Sequence, residues 1–218
     1  MANYFNLTLD TLSPSISSFL INNGDAVTTS TSVTLKIVCS DSDVASMKIW
    51  GISGATTESA ASWETFATTK TVTLPDTTEG SYTIYIKVRD NVYNESSTAS
   101  DSITLSTSIP TITITGPDVT TISEVSGKNV ASFSFKSDVN LSAWKVKLVP
   151  ATTSINTAGT EIGTTNGSTN MTGTTLNANT LKSCTINGSD LKRAAGGTDG
   201  TYIIKVFGQS AINGLWSA

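Results

Sequence analysis

The chain has 218 residues, 14% of them charged, and a net charge of −4 with no basic run, which speaks against a nucleic-acid footprint. It has no histidine, which removes His-based triads, His metal ligands and most general-base schemes. No apolar stretch approaches the roughly 18 residues of a membrane helix, and Ser and Thr make up roughly a third of the chain, the composition of exposed strands and loops. In chain order, the opening Met1-Ala2-Asn3-Tyr4-Phe5-Asn6 lacks the basic and apolar regions of a secretory leader, so manufacture and use in a cytosol, or exit from the cell without the general export route, is expected. Phe5, Leu7 and Leu9 then alternate with polar residues, followed by Val33, Leu35 and Ile37, by Val72 and Leu74, and by Tyr82, Ile84, Ile86 and Val88. The second half repeats the pattern at Ile112 and Ile114, Phe133 and Phe135, and Val146 and Leu148. Period-two alternation broken by turn residues such as Asn23-Gly24, Glu79-Gly80 and Asp199-Gly200 predicts many short strands. One short helix is expected over Ser189–Ala195, with Ser189 as its cap and Gly196-Gly197 as its stop.

The two halves echo each other. Gly80-Ser81-Tyr82-Thr83-Ile84 matches Gly200-Thr201-Tyr202-Ile203-Ile204, and Ser42-Asp43-Val44 matches Ser137-Asp138-Val139. An acidic residue, a glycine, any residue and a tyrosine before a strand resembles the tyrosine corner of immunoglobulin-like sandwiches. The reading is therefore all-β, with two tandem immunoglobulin-like β-sandwiches over 12–107 and 108–218 behind an extended arm over 1–11. A Thr-, Asn- and Gly-rich insertion near 151–179 is expected as a hairpin or long loop outside the second core.

The ends differ from this plan. Leu9-Asp10-Thr11-Leu12-Ser13-Pro14 and Leu105-Ser106-Thr107-Ser108-Ile109-Pro110 share the pattern L-x-T-x-x-P. The second copy follows the last strand of the first domain, so Phe5–Leu9 reads as a closing strand without a domain. The second domain shows no counterpart of that strand after Asn213-Gly214-Leu215-Trp216-Ser217-Ala218. A sandwich missing its last strand leaves backbone groups and an apolar groove open, which an extended segment fills by strand addition. Tyr4, Phe5, Leu7 and Leu9 are the residues expected to bind in this way. Three fates stand open for them: pairing with the second domain of a neighbouring copy, pairing with another partner, or a plain extra first strand of the first domain.

The run Trp63-Glu64-Thr65-Phe66, with Gly80, Tyr82, Ile84-Tyr85-Ile86-Lys87-Val88-Arg89-Asp90 and Asn94-Glu95-Ser96, resembles a bacterial immunoglobulin-like repeat found in large surface proteins and in bacteriophage structural proteins. Met47-Lys48-Ile49-Trp50 fits the same repeat. The family's Asp-Pro step between modules is represented here only by Ser13-Pro14 and Ile109-Pro110. The resemblance implies an accessory virion protein: a capsid decoration or head fibre first, a tail or baseplate component next. The implied partners are other virion proteins of the capsid or tail lattice, further copies of the chain, and host-surface glycans, with no nucleic acid and no membrane. The implied location is the virion, after synthesis in the host cytoplasm. The rival is a bacterial surface adhesin or a carbohydrate-binding module. For either, Trp63, set among polar residues, is the tryptophan expected to be open for a glycan or partner contact, whereas Trp144 is expected in the core.

No catalytic residue is expected, because no nucleophile–base pair is visible. No cofactor and no metal site are expected either. Asp41-Ser42-Asp43 with Asp90 could offer oxygens to Ca²⁺ between strand ends, but the ligand count is low. Cys39 and Cys184 fall in different halves, and Cys39 reads as a small buried hydrophobe.

Overall fold

The computed structural model describes residues 5–149 and 158–218. The chain is all-β and forms two compact units, one ending at Thr107 and the next beginning at Ser108. The first unit contains β1 (Ile16–Ile21), β2 (Val27–Thr28), β3 (Ser32–Cys39), β4 (Val44–Trp50), β5 (Glu64–Thr65), β6 (Thr69–Thr73), β7 (Gly80–Asp90) and β8 (Ala99–Leu105). One sheet has the order β1-β3-β6 and the other β2-β8-β7-β4-β5, the two-sheet arrangement of an immunoglobulin-like sandwich. The alternation read in the sequence is what divides the strands. Val33, Leu35 and Ile37 of one sheet face Ile49, Ile84, Ile86 and Ile103 of the other in a single buried core.

The second unit contains β9 (Ile112–Thr115), β10 (Val130–Ser137), β11 (Leu141–Val149), β12 (Thr160–Glu161), β13 (Thr172–Gly173), β14 (Lys182–Asn187), α1 (Gly188–Ala194) and β15 (Ile203–Ser210). Its sheets are β14-β10-β9 and a second one in which β11 pairs with β12, β13 and β15. Phe133, Phe135, Trp144, Val146, Ile186 and Val206 form its core, with the Phe135 and Trp144 rings edge to face at 5.2 Å.

Both tyrosine corners are present. Tyr82 donates its hydroxyl to the Thr78 carbonyl at 2.5 Å, and Tyr202 donates to Thr198 at 2.6 Å. Each bond fixes the entry of the chain into β7 or β15.

Two expectations are corrected. The cap of α1 is Asn187, whose side chain accepts from the Ser189 N–H at 2.9 Å; the polar side chain one position before the helix reaches the free amide, and Ser189 is already inside it. The insertion is not wholly outside the core: Ile162, Met171 and Leu176 are buried in it. Its polar residues serve the same packing. Buried Asp190 of α1 accepts from the Asn166 amide and side chain and from Ser168 N–H, and Ser168 Oγ accepts from Asn187 N–H at 2.8 Å. The first part of the insertion, through residue 157, lies outside the described residues.

Candidate functional site

The first unit is closed by its last strand. β8 runs antiparallel to β7, from Gly80 opposite Leu105 to Ile86 opposite Ala99, and parallel to β2 on its other side. Ile103 and Leu105 each keep only 1% exposure and complete the core. The strand is tied at both ends. Asp101 accepts from Ile21 N–H at 2.7 Å, and Glu79 accepts from Thr107 N–H at 2.8 Å. The chain enters β8 through a hairpin in which Ser96 donates its N–H to the Val88 carbonyl at 2.8 Å and accepts from Val88 N–H on its hydroxyl at 3.0 Å.

The second unit reproduces this hairpin. Ser217 N–H donates to the Gly208 carbonyl at 2.8 Å, and Gly208 N–H donates to Ser217 Oγ at 3.0 Å. Ser217 therefore stands in the place of Ser96, Tyr202 in that of Tyr82, and Gly200 in that of Gly80. Beyond this point the likeness stops. Among the described residues β11 is the one strand that pairs with β15, from Val149 opposite Ile203 to Leu141 opposite Ser210 with a bulge before Ala143, and no second strand flanks β15 on its other side. Where β8 would lie, the second unit has a groove of about 420 Å³. Val119, Ile122, Phe133, Ile186, Tyr202 and Ile204 are among the residues that line it. An unpaired strand edge beside an apolar slot accepts an extended segment: the edge supplies main-chain hydrogen bonds and the slot takes alternate side chains.

The arm is the corresponding unpartnered segment. Phe5, Leu7 and Leu9 are 85–86% exposed, and Leu12 is exposed as well. Tyr4 lies outside the described residues. Residues 5–9 belong to no strand, and the first ladder begins at Ile16, so the arm is not an extra first strand of the first unit. From Asp10 onward it is held to the unit. Asn94 donates to the Asp10 carbonyl at 3.3 Å, and Ser15 N–H donates to the Asp41 carboxylate at 2.7 Å. The second unit begins in the same manner, with Thr111 N–H on the Asp138 carboxylate at 2.8 Å. Pro14 and Pro110, just before these two residues, are both buried.

The other sequence candidates sit elsewhere. Trp63 is half-buried, and the Arg89 guanidinium lies 4.3 Å from its ring centre while also stacking on Tyr93. The arginine lies over one ring face of Trp63, and Arg89 Nε is buried without a hydrogen-bond partner among the described residues. Trp50 and Trp144 are buried, and Trp216 is half-buried near Lys145. Of the three acidic residues expected near a Ca²⁺ site, Asp43 and Asp90 do meet, joined by Asp10 of the arm, with one oxygen from each within 4.8 Å of the others. Asp41 instead binds Ser15 and Ser40. Asp90 is already occupied. Burial pushes its carboxyl up, but bonds from Asn94, Val92 and Tyr93 outweigh that and hold it below the ordinary carboxylate range. Cys39 is half-buried and Cys184 buried, both as free thiols, and burial pushes Cys184 up to about 11, far from a reactive thiolate.

Sequence reasoning missed the Ser96 and Ser217 hydroxyls, whose signal was available: each ends the segment that follows an aligned Tyr-containing strand. It also missed Asp199, the residue in Glu79's place, whose side chain is 94% exposed.

No family model matches the chain, and no curated protein matches it. Several solved structures are similar over most of its length. Chitinase ChiA74 from Bacillus thuringiensis matches at a TM-score of 0.33 and 13% identity, over 91% of this chain and 30% of that one. The BSP domain of a biofilm associated protein matches at 0.29 and 14%, over 93% and 28%. A carbohydrate-binding module of the β-sandwich superfamily matches at 0.34 and 12%, over 91% and 85%. The chain thus spans under a third of the first and second of these. Scores at this level carry no argument about function.

Proposed function

We propose that the chain is a non-enzymatic assembly component of a bacteriophage particle, a capsid decoration or head fibre before a tail or baseplate part, that attaches by β-strand addition. The observation that carries the attachment is the slot of the second unit: an immunoglobulin-like sandwich in which, among the described residues, no second strand flanks β15 beside an apolar groove. The particle itself rests on the resemblance of residues 12–107 to repeats of phage and bacterial surface proteins. Repetition on a lattice multiplies a modest single attachment into a firm one. A surface adhesin or sugar-binding reading would lean on an open tryptophan, and Arg89 sits over the ring of Trp63.

The test is to fill the slot from within. A copy of residues 5–11 is joined to Ala218 through Thr-Ala-Ser, the residues between Ser97 and Asp101 in the first unit. Both chains are offered to particles purified from the source culture and located with gold-labelled antibody. The expected result is gold on particles with the natural chain, and a higher melting temperature with loss of gold for the self-filled chain. Equal melting and equal labelling would refute strand addition. Label on cell envelopes alone would refute the virion and leave the adhesin.

A further inference from the structure

We infer that the slot of the second unit is filled by residues 5–11 of a second copy of the chain, so that copies join head to tail. The inference rests on the strand-accepting reading above and names its occupant. Aligning L-x-T-x-x-P places Leu9 on Leu105, Leu7 on Ile103 and Phe5 on Asp101. Ile103 and Leu105 are the buried, core-facing residues of β8, so Leu7 and Leu9 are the right residues on the right face. Their present exposure of 86% is what a strand awaiting its sheet would show.

The register follows from the first unit. Gly80 opposite Leu105 and Tyr82 opposite Ile103 become Gly200 opposite Leu9 and Tyr202 opposite Leu7. Gly200, Thr201, Tyr202 and Ile204 line the groove on the β15 side, so the positions opposite Leu7 and Leu9 are among its lining. The end of the strand is provided for too. Thr107 is held by Glu79; its counterpart in the arm is Thr11, and the counterpart of Glu79 is the exposed Asp199.

The junction also fits. The segment from Leu105 to the first residue of β9, Ile112, has the same length as that from Leu9 to the first residue of β1, Ile16. Both pass through a buried proline and a backbone N–H fastened to an aspartate. A copy whose arm enters a neighbour's slot therefore follows it through the same linker that joins the two units within one chain. This contact is heterologous, using different surfaces on the two copies, and repeats without closing on itself unless its rotation forms a ring.

A disulfide tests the register and the identity of the donor together. Thr83 and Ser102 hydroxyls lie 2.8 Å apart across β7 and β8, and their counterparts are Ile203 and Asn6. In a background carrying Cys39→Ser and Cys184→Ala, one chain carries Asn6→Cys and another carries Ile203→Cys. They are mixed and oxidised with copper phenanthroline. The expected product is a reducible cross-linked dimer, absent when Ser142→Cys, at the other end of β11, replaces Ile203→Cys. Adding Leu7→Asp and Leu9→Asp to the donor should lower its yield by at least about tenfold, since a carboxylate would enter the apolar slot. A yield no greater than the Ser142 control, or cross-linking only within a chain that carries both cysteines, would overturn the inference. If the cross-link fails while the self-filled chain still melts higher, the slot accepts a strand from elsewhere. If the self-filled chain gains nothing, the strand-accepting reading itself is wrong.

Discussion

The two units share a corner tyrosine, a hairpin serine and a backbone N–H held by an aspartate at their start; the second adds α1 and an insertion, and among its described residues has no strand in the place of β8. The first unit buries Ile103 and Leu105 between β7 and β2; in the second, among the described residues, β15 has only β11 as a strand neighbour and lies beside an apolar groove. The difference teaches that the missing part is a piece of sheet and not a piece of core. Trp144, Phe135 and Val206 are buried without it. What the second unit lacks is edge satisfaction and the burial of about two or three apolar side chains. Each such side chain contributes about 2 kcal/mol when taken from water. Phe5, Leu7 and Leu9 could supply that amount on entering the slot, less the cost of ordering the arm.

The comparison can be broken most forcefully with matched leucines. Leu105→Ala should destabilise the first unit by about 3 kcal/mol, because it empties a filled core position. Leu9→Ala, at the aligned position, should leave the dilute chain unchanged and weaken only self-association; hydrogen exchange resolved by unit and sedimentation read the two effects. A sharper probe of the second core is Gly173→Ala. A Cβ there would stand 2.4 Å from the Trp144 ring, so about 2 kcal/mol of overpacking and a changed near-ultraviolet signal of Trp144 are expected. Ser96→Ala and Ser217→Ala should each cost about 1.5 kcal/mol by leaving the buried Val88 or Gly208 N–H unpaired. A null effect at Ser217 alone would show that the second hairpin does not hold as the first does. Tyr82→Phe, which removes one neutral hydrogen bond, should cost about 1 kcal/mol, and Tyr202→Phe, which removes bonds to both the carbonyl and the hydroxyl of Thr198, at least as much.

The smallest effect is on acid stability. Burial pushes the Asp190 carboxyl up, but bonds from Ser168 and Asn166 outweigh it and hold it below the ordinary carboxylate range, as happens for Asp90 in the first unit. A carboxyl lowered in the fold stabilises above its unfolded value and loses that contribution as pH falls through its folded one. Both units should therefore weaken below about pH 4 in thermal scans, and Asp190→Asn should flatten that loss in the second unit.

The all-β class was legible because period-two alternation survives in nearly every long strand, as in Tyr82, Ile84, Ile86 and Val88. The corners were legible because an acidic residue, a glycine and a tyrosine recur at one spacing. The insertion was less so. Thr, Asn and Gly read as loop, yet Ile162, Met171 and Leu176 enter the core, and the polar residues between them satisfy Asp190 and Asn187. Sequence distance hid that, since Asp190 meets Asn166 only after α1 packs. The cover over Trp63 was hidden for the same reason: Arg89 arrives from β7, on the far side of β5 and β6 in sequence. Periodicity reports which face a residue takes and is silent about which long side chain crosses over it.

The central claim is that the second unit is completed by the arm of another copy. Sedimentation equilibrium of the full chain against the chain lacking residues 1–10 tests it most directly. Mass that grows with concentration for the full chain, and a monomer at every concentration for the shortened one, is the predicted result. The same mass distribution for both chains would contradict it.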